Sequence, residues 1–130
     1  MIGRPPGQQF EPCDVLVVED DLTLAETISQ FLIRGGLRVR TASGAMAALR
    51  IITLAPPKVA IIDYQLPGMN GVQLSAQLRA ELPALHIILM SANDLDIDRA
   101  ILDKAGIKVF VNKPIPPSPL RQAVMRLLQT

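Results

Sequence analysis

Short apolar runs and helical stripes alternate along most of the chain. Residues 15–18, 59–62, 87–90 and 107–111 are nearly continuous apolar runs, the pattern of strands that are covered on both faces of a sheet. Residues 37–40 alternate apolar with charged side chains, which is typical of a less covered edge strand. The sequence therefore predicts five strands, with the second of them at an edge.

Between these runs the apolar residues recur every three or four positions, as on the buried face of an amphipathic helix. Residues that favour caps and turns set the predicted helix ends. The first helix stops at Gly35-Gly36, the second is capped by Ser43 and stops before Pro56-Pro57, the third starts near Asn70, the fourth spans 94–105 and stops at Gly106, and the fifth starts with Ser118 as N-cap and Pro119 as first residue. Five helices thus follow the five strands.

Strict alternation of strands and helices predicts one parallel sheet with helices on both faces, because crossovers between parallel strands are right-handed. A chain of 130 residues is long enough for one such domain. We expect the domain to cover residues 14–130 and a flexible leader to cover residues 1–13, which contain Pro and Gly but no periodicity. Ligands of these sheets bind beyond the carboxyl ends of the strands.

Polar side chains follow the carboxyl ends of four predicted strands. They are Glu19-Asp20-Asp21 after the first, Asp63 after the third, Ser91 after the fourth and Lys113-Pro114 after the fifth. If the first and third strands are neighbours, as in a flavodoxin-like order 2-1-3-4-5, these residues meet at one crevice. Taken singly, each has a structural alternative, such as a helix cap for Asp21 or a surface position for Lys113.

Carboxylates that lie this close together repel one another unless a proton, a lysine or a metal compensates their charge. Mg²⁺ binds one or two carboxylates together with waters and phosphate oxygens. Asp20, Asp63 and a backbone carbonyl of the following loop would form such a shell. Ca²⁺ is less suitable, because the chain lacks the EF-hand loop pattern.

Composition narrows the class of protein. Apolar residues make up 49% of the chain, charged residues 19%, and the net charge is +1, so nothing indicates a polyanionic partner. Cys13 is the single cysteine and is expected to be a small packing residue in a protein of the reducing cytoplasm. No apolar run approaches the roughly 20 residues that span a bilayer, and no signal peptide is present, so we expect neither secretion nor a membrane span.

Four motifs together resemble the receiver domain of bacterial two-component response regulators. They are VLVVEDD in the first strand, IIDYQLPGMNG after the third, ILMSA in the fourth and VFVNKPI in the fifth, in the order and spacing of that family. Each motif alone is weak, and the four together are specific. The resemblance covers residues 13–129 and implies the flavodoxin-like (βα)5 fold, a doubly wound five-stranded parallel sheet in the order 2-1-3-4-5.

The resemblance implies a chemical role for each matched residue. Asp63 would attack the phosphorus of a phosphohistidine on a partner histidine kinase or phosphotransfer protein and become an acyl phosphate. Asp20 and Asp63 would bind Mg²⁺, or Mn²⁺ in its place, directly. Glu19 would hold waters of the metal, and the backbone carbonyl of Gln65 would complete the shell. Lys113 would pair with a phosphoryl oxygen.

A conformational switch is also implied. The hydroxyl of Ser91 would donate to the phosphoryl group, Pro114 would follow a cis peptide bond that directs the preceding lysine, and Phe110 would change its rotamer. For Phe110 a core or edge-strand position is an equally good interpretation. The face formed by the fourth helix, fifth strand and fifth helix would then change its affinity for a downstream effector, and it is the place to test for a homodimer.

Departures from the usual family pattern affect both the metal site and the lifetime of the acyl phosphate. Glu19 stands where Asp is commoner, Ser91 where Thr is frequent, and Phe110 lacks the hydroxyl of a Tyr. Gln65 and Asn93 lie two residues past Asp63 and Ser91, at positions whose side chains tune the attack of water on the acyl phosphate.

Three alternatives stay open at this point. The chain is a stand-alone receiver or relay component, or the receiver fragment of a hybrid kinase or DNA-binding regulator, although we expect no nucleic acid to bind this chain itself. A degenerate receiver that serves only as an interaction module is a second class. A nucleotide- or flavin-binding enzyme is a third, and it would require a GxGxxG or GxxxxGK[ST] loop that the sequence lacks. His86, the only histidine, starts the fourth strand and is expected to be a strand-edge residue.

Overall fold

The computed structural model describes residues 13–92 and 97–130, and five strands alternate with five helices in this part of the chain. Their bounds are β1 Val15–Val18, α1 Leu22–Arg34, β2 Val39–Ala42, α2 Ala45–Leu54, β3 Val59–Asp63, α3 Gly71–Glu81, β4 His86–Ser91, α4 Arg99–Lys104, β5 Ile107–Asn112 and α5 Pro117–Leu128. The predicted alternation is confirmed. Residues 1–12 of the predicted leader lie outside the described residues, so the domain boundary stays a prediction.

The five strands form one sheet in the order β2-β1-β3-β4-β5, and every neighbouring pair is parallel. The predicted fold class and strand order are therefore confirmed. In the register of β1 with β3, Val18 pairs with Ile62, so the residues that follow these strands lie side by side. β2 is at one edge of the sheet and β5 is at the other.

Two apolar clusters hold helices against the two faces of the sheet. Val15, Val17 and Ile61 face α1 and α5, whereas Leu16 and Ile62 face α2, α3 and α4. This division follows from the alternation of side chains along a strand. Burial of each such side chain contributes about 1.5–3 kcal/mol to folding. The continuous apolar runs of β1, β3 and β4 thus supply both clusters.

The second strand and the second helix begin later than predicted. β2 starts at Val39 rather than Leu37, because Leu37 still donates its N–H to the Leu32 carbonyl at the end of α1. The half-buried and exposed residues of β2 fit the predicted edge position. The N-cap of α2 is Gly44, not Ser43, and no side chain in the described ranges caps this helix.

The fourth and fifth helices also differ from the prediction at their starts. Asp98 is the N-cap of α4 and accepts a hydrogen bond from the Ala100 N–H at 2.9 Å, so residues 97 and 98 precede the helix. Residues 94–96 of the predicted helix lie outside the described residues. α5 begins at Pro117, whose fixed φ suits a first helical turn, and Ser118 is already helical.

Cys13 is buried immediately before β1. Its thiol donates to the Val15 carbonyl at 3.1 Å, and burial raises the pKa of the thiol. This position agrees with the predicted packing role. As for membranes, the described helices are all too short or too polar to cross a bilayer.

Candidate functional site

Three acidic residues meet at the carboxyl end of the sheet. Glu19 and Asp20 follow β1, and Asp63 is the last residue of β3. Because these strands pair in parallel, one carboxylate oxygen from each residue lies within 4.8 Å of the other two. The convergence predicted for these acids is therefore present.

The cluster is buried on one side and open on the other. Glu19 and Asp63 are only 1% and 4% exposed, whereas Asp20 is an exposed residue. A buried carboxylate needs a counter-charge or hydrogen bonds, because burial otherwise disfavours its ionised form. A ligand from solvent reaches the cluster at the Asp20 side.

Lys113 supplies the counter-charge. Its ammonium Nζ lies 2.7 Å from Oε1 of Glu19 and 3.3 Å from Oδ1 of Asp63. Burial by itself lowers the pKa of Lys113, but the hydrogen bond to Glu19 and the charge of Asp63 outweigh it, so that the pKa is raised. The lysine is thus held as a cation between two strands' carboxylates.

Both carboxylate oxygens of Glu19 have partners. Oε1 accepts from Lys113, and Oε2 accepts from the backbone N–H of Asp21 at 3.0 Å. Burial raises the pKa of Glu19, and the hydrogen bond from Lys113 opposes that rise. The side chain of Asp21 accepts from the Leu24 N–H at 3.1 Å as the N-cap of α1, which confirms the structural alternative for this residue.

Ser91 occupies the same edge of the sheet, one strand beyond Asp63. It is the last residue of β4 and is 1% exposed. Its carbonyl accepts from the backbone N–H of Lys113 at 2.8 Å, which fixes the chain as it leaves β5. The peptide bond between Lys113 and Pro114 is cis.

The loop after Asp63 folds back on itself. The Tyr64 N–H donates to the Met90 carbonyl and the Tyr64 carbonyl accepts from the Gly71 N–H, each at 2.7 Å. Gln65 and Asn70 form an antiparallel bridge between these points. Gly68 turns the loop at a φ of 85°, a conformation that favours glycine. Gln65 is exposed here, and its role at the metal stays a prediction.

Gly71 is a requirement of the site that sequence reasoning missed. A Cβ at this position would collide with the Asp63 carbonyl and would lie 2.9 Å from the Tyr64 Cα. The chain can return this close to Asp63 only without a side chain. A usable signal was present beside it, since Asn70 and Gln73 form a capping box that marks the start of α3.

Phe110 lies in β5, and His86, which was not predicted to be a site residue, lies in β4. Phe110 is half-buried in the edge strand β5. It packs against the apolar cluster that lies under α2, α3 and α4. Asn93 lies outside the described residues. His86 begins β4 at the opposite end of the sheet, where its Nε2 is 3.1 Å from the Thr130 hydroxyl.

The donor set fits a hard divalent cation. Glu19, Asp20 and Asp63 provide only oxygen ligands, which Mg²⁺ prefers, and the exposed Asp20 leaves room for the waters that this ion retains. Sulfur and imidazole donors, which favour zinc, are absent from the cluster among the described residues.

Comparisons with known proteins agree on one family. The family described as response regulator receiver domain matches residues 15–125. A probable transcriptional regulatory protein, TcrX, of Mycobacterium tuberculosis is 35% identical over 95% of this chain and 50% of its own length. The transcriptional activator protein ExaE of Pseudomonas putida is 33% identical over 88% of this chain and 54% of its own length. The chain thus spans about half the length of these curated relatives.

A solved structure gives the same fold. The CheY-like receiver domain protein of Methanospirillum hungatei superposes with a TM-score of 0.84, covering 92% of this chain and 95% of that one. The two sequences are 24% identical, so this likeness concerns the fold alone.

Proposed function

Because the chain belongs to the family of response regulator receiver domains, we propose that Asp63 accepts a phosphoryl group from a phosphohistidine of a partner protein. The observation that carries this proposal is the setting of Asp63. Its carboxylate is nearly buried, lies 3.3 Å from the Lys113 ammonium and shares a metal-sized acidic cluster with Asp20. The proposed nucleophile, Asp63, thus lies beside a cation, Lys113, and close to the solvent-exposed Asp20.

In the reaction, an oxygen of Asp63 forms a bond to phosphorus while the bond from phosphorus to the histidine nitrogen breaks. The leaving imidazole keeps the electron pair and takes up a proton. Lys113 turns its ammonium from the carboxylates to a phosphoryl oxygen, a short movement for an Nζ already 3.3 Å from Asp63. The residue is consumed and regenerated in each cycle, so the chain assists its own modification and is not a turnover enzyme.

Asp20, Asp63 and the Gln65 carbonyl would hold Mg²⁺, or Mn²⁺, and Glu19 would act through the metal's waters. The ion supplies charge neutralisation between the anionic acceptor and the incoming phosphoryl group. This chain's own contribution is to hold the three acids together, with the Lys113 cation beside Glu19 and Asp63 on the buried side.

A groove beside the acids suits the phosphohistidine donor, a sensor kinase or phosphotransfer protein. It has a volume of about 530 Å³ and lies between the start of α1 and the segment after β5, with Leu24, Thr27 and Ile115 on its walls. Lys113 lines the same groove and lies 3.3 Å from Asp63, so a donor seated there would be close to the proposed acceptor. We place this exchange in the cytoplasm, where the lone buried Cys13 thiol stays reduced.

Phosphorylation would be read out through β4 and β5. The Ser91 hydroxyl would donate to the phosphoryl group, and the half-buried Phe110 would follow the resulting movement. The face of α4, β5 and α5 would then bind an effector or a second copy. The relatives named as transcriptional regulators support a regulatory output in a longer protein.

The test is incubation with acetyl phosphate and Mg²⁺, followed by mass measurement of the intact protein. We expect one phosphoryl adduct that is absent with EDTA and absent in Asp63→Asn. Asp98→Asn, at an exposed cap of α4, is the matched control and should still be modified. An adduct that persists in Asp63→Asn would overturn the proposal, and no adduct in the wild type would favour the interaction-module alternative.

Metal binding can be measured separately through the fluorescence of Tyr64. Tyr64 is the only tyrosine, the chain has no tryptophan, and Tyr64 directly follows the acceptor. We expect Mg²⁺ to change Tyr64 fluorescence in a saturable way, with at least about tenfold weaker binding in Asp20→Asn, because a direct ligand is lost. Equal binding by the wild type and Asp20→Asn would exclude Asp20 as a ligand, and a wild type without any saturable change would remove the metal from the proposed mechanism.

A further inference from the structure

One stretch of the sequence carries positive charge and no negative charge. From residue 27 to residue 62 the sequence contains no acidic residue, and its five basic residues are Arg34, Arg38, Arg40, Arg50 and Lys58. This stretch includes β2 and α2, which lie at the sheet edge opposite β5. A local excess of one charge favours a partner of the other charge.

The helix at this edge presents one large apolar side chain to solvent. Only Arg50 and Thr53 of its ten residues are polar, yet only Ala48 and Ile52 are buried. Met46 is 79% exposed, the largest exposure among the large hydrophobic residues of the described chain. The other apolar side chains of α2 are buried or half-buried, and most of them pack against the core, so the outward side of the helix consists of Met46, Arg50 and Thr53.

Met46, Arg50 and Thr53 form one outward stripe, because they lie four and three residues apart. Arg40 lies in β2, the strand that precedes α2. It lies in phase with Ala42, which packs in the cluster under α2, and so it is on the α2 side of the sheet. We call these four residues, Arg40, Met46, Arg50 and Thr53, the α2–β2 face.

We infer that the α2–β2 face docks an acidic protein segment that carries a large apolar side chain. Met46 would enter an apolar contact on the partner, and the Arg50 guanidinium one turn away would pair with a carboxylate. Flexible methionine side chains suit such contacts because they adapt to the shape of the partner. Arg40 adds positive charge on the same side of the sheet.

Other occupants match the face less well. A second copy would bring the same positive charge against itself in a symmetric contact. A phosphate backbone would satisfy Arg50 but would leave Met46 without an apolar partner. A membrane surface needs a broad apolar stripe, whereas Met46 is the one large hydrophobic residue of α2 that is fully exposed.

Docking at the α2–β2 face does not depend on phosphorylation of Asp63. The α2–β2 face is at the opposite edge of the sheet from β5, and none of its residues belongs to the acidic cluster. Docking should therefore have the same affinity in the wild type and in Asp63→Asn, whereas an effector of the α4, β5 and α5 face should distinguish phosphorylated from unphosphorylated protein.

The test is an NMR titration of the whole chain with a synthetic amphipathic helix of Glu, Ala and Leu, about 15 residues long. Two matched peptides carry Lys in place of Glu or Ser in place of Leu. We expect the largest shift changes in α2 and β2 with the acidic apolar peptide alone. Met46→Gln should weaken binding about fivefold and Arg50→Glu about tenfold, while Ile101→Gln, at an exposed apolar residue of α4, should leave it unchanged.

Three results would overturn the inference. The shifts could centre on Arg121 and Arg126 of α5, which would indicate attraction to positive charge anywhere on the surface. Met46→Gln could bind the peptide as well as the wild type, although its thermal unfolding is unchanged. Vesicles of phosphatidylglycerol or duplex DNA could shift the same α2 residues at lower concentration than the peptide, which would assign the face to a lipid or nucleic acid.

Discussion

Two ion pairs at opposite ends of the same sheet differ in what surrounds them. Lys113 and Glu19 meet at 2.7 Å at the carboxyl end, with 19% and 1% of their side chains exposed. Arg38 and Asp14 meet at 3.0 Å at the amino end, with 56% and 18% exposed. Water screens the second pair and hardly reaches the first. The two N···O distances are similar, so the difference in burial decides which ion pair contributes more to the free energy of unfolding.

The two pairs also have different neighbours. Lys113 faces a second carboxylate, Asp63, so its removal leaves two nearly buried acids without a cation. The carboxylate of Asp14 accepts from the Arg38 backbone N–H at 2.8 Å as well as from its guanidinium, and that backbone bond does not depend on the side chain. At the carboxyl end one cation therefore balances two nearly buried acids, and a charged ligand would change that balance. At the amino end the ion pair only links the residue before β1 to the residue before β2.

The largest expected effect is that of Lys113→Met. It should lower the free energy of unfolding by about 2–4 kcal/mol, because it leaves Glu19 and Asp63 uncompensated. Urea unfolding measures the loss, and the double variant with Glu19→Gln should regain part of it, since one buried charge is then gone. A Lys113→Met protein as stable as the wild type would contradict the contrast between the two ends.

Gly71→Ala should produce the next largest loss, about 1–3 kcal/mol, because the added methyl group collides with backbone atoms of Asp63 and Tyr64. Gly44→Ala is the matched control. The space around Gly44 is open within the described structure, its backbone is extended, and its change should stay within about 0.5 kcal/mol. Equal losses in the two variants by thermal unfolding would argue against a close return of the chain at Asp63.

The two ends should lose stability at opposite extremes of pH. The pKa of Lys113 is raised above its ordinary value of 10.5, so its contribution is complete below that pH and disappears as the pH rises through the folded-state pKa. The hydrogen bond from Arg38 lowers the pKa of Asp14 below its ordinary value of 3.8. The contribution of Asp14 is therefore complete above pH 3.8 and disappears as the pH falls through the folded-state pKa.

Urea unfolding across pH separates these contributions. Lys113→Arg should extend stability to higher pH, because a guanidinium stays charged there. Asp14→Asn should remove part of the acid-side loss and leave the alkaline side unchanged. If both variants changed stability only at alkaline pH, or only at acidic pH, the attribution of the alkaline loss to Lys113 and of the acidic loss to Asp14 would be wrong.

The smallest expected effect is that of Arg38→Met. Its exposed ion pair should be worth about 0.5 kcal/mol, and the difference from the wild type should shrink further in high salt. A loss comparable to that of Lys113→Met would show that the amino end depends on its ion pair more than its exposure suggests.

The strands and the acidic cluster were predictable because each depends on a simple regularity. Continuous apolar runs placed β1, β3 and β4, and parallel pairing then brought Glu19, Asp20 and Asp63 together. Helix starts were less predictable where nearby residues compete for the N-cap position, as Ser43 does with Gly44 and Ser118 with Pro116. There the tertiary path of the chain decides, and local propensity does not record it.

Contacts between distant segments of the chain could not be predicted from the sequence. Nothing local to Glu19 indicates that its two oxygens divide between Lys113 and the Asp21 backbone. The close approach of Gly71 to Asp63 likewise depends on how the loop closes. Both follow from distances that only the folded chain sets.

The closed loop after Asp63 has a consequence for how such a domain can diversify. Tyr64, the residue after Asp63, is hydrogen-bonded to Met90 of β4 and to Gly71 of α3. Neither of these hydrogen bonds involves α4 or α5. Substitutions on the outward sides of α4 and α5 therefore leave these two hydrogen bonds in place, whereas changes at the end of β5 act on Asp63 through Lys113. The outward surfaces of α4 and α5 can thus diverge in sequence while the position of Asp63 stays the same.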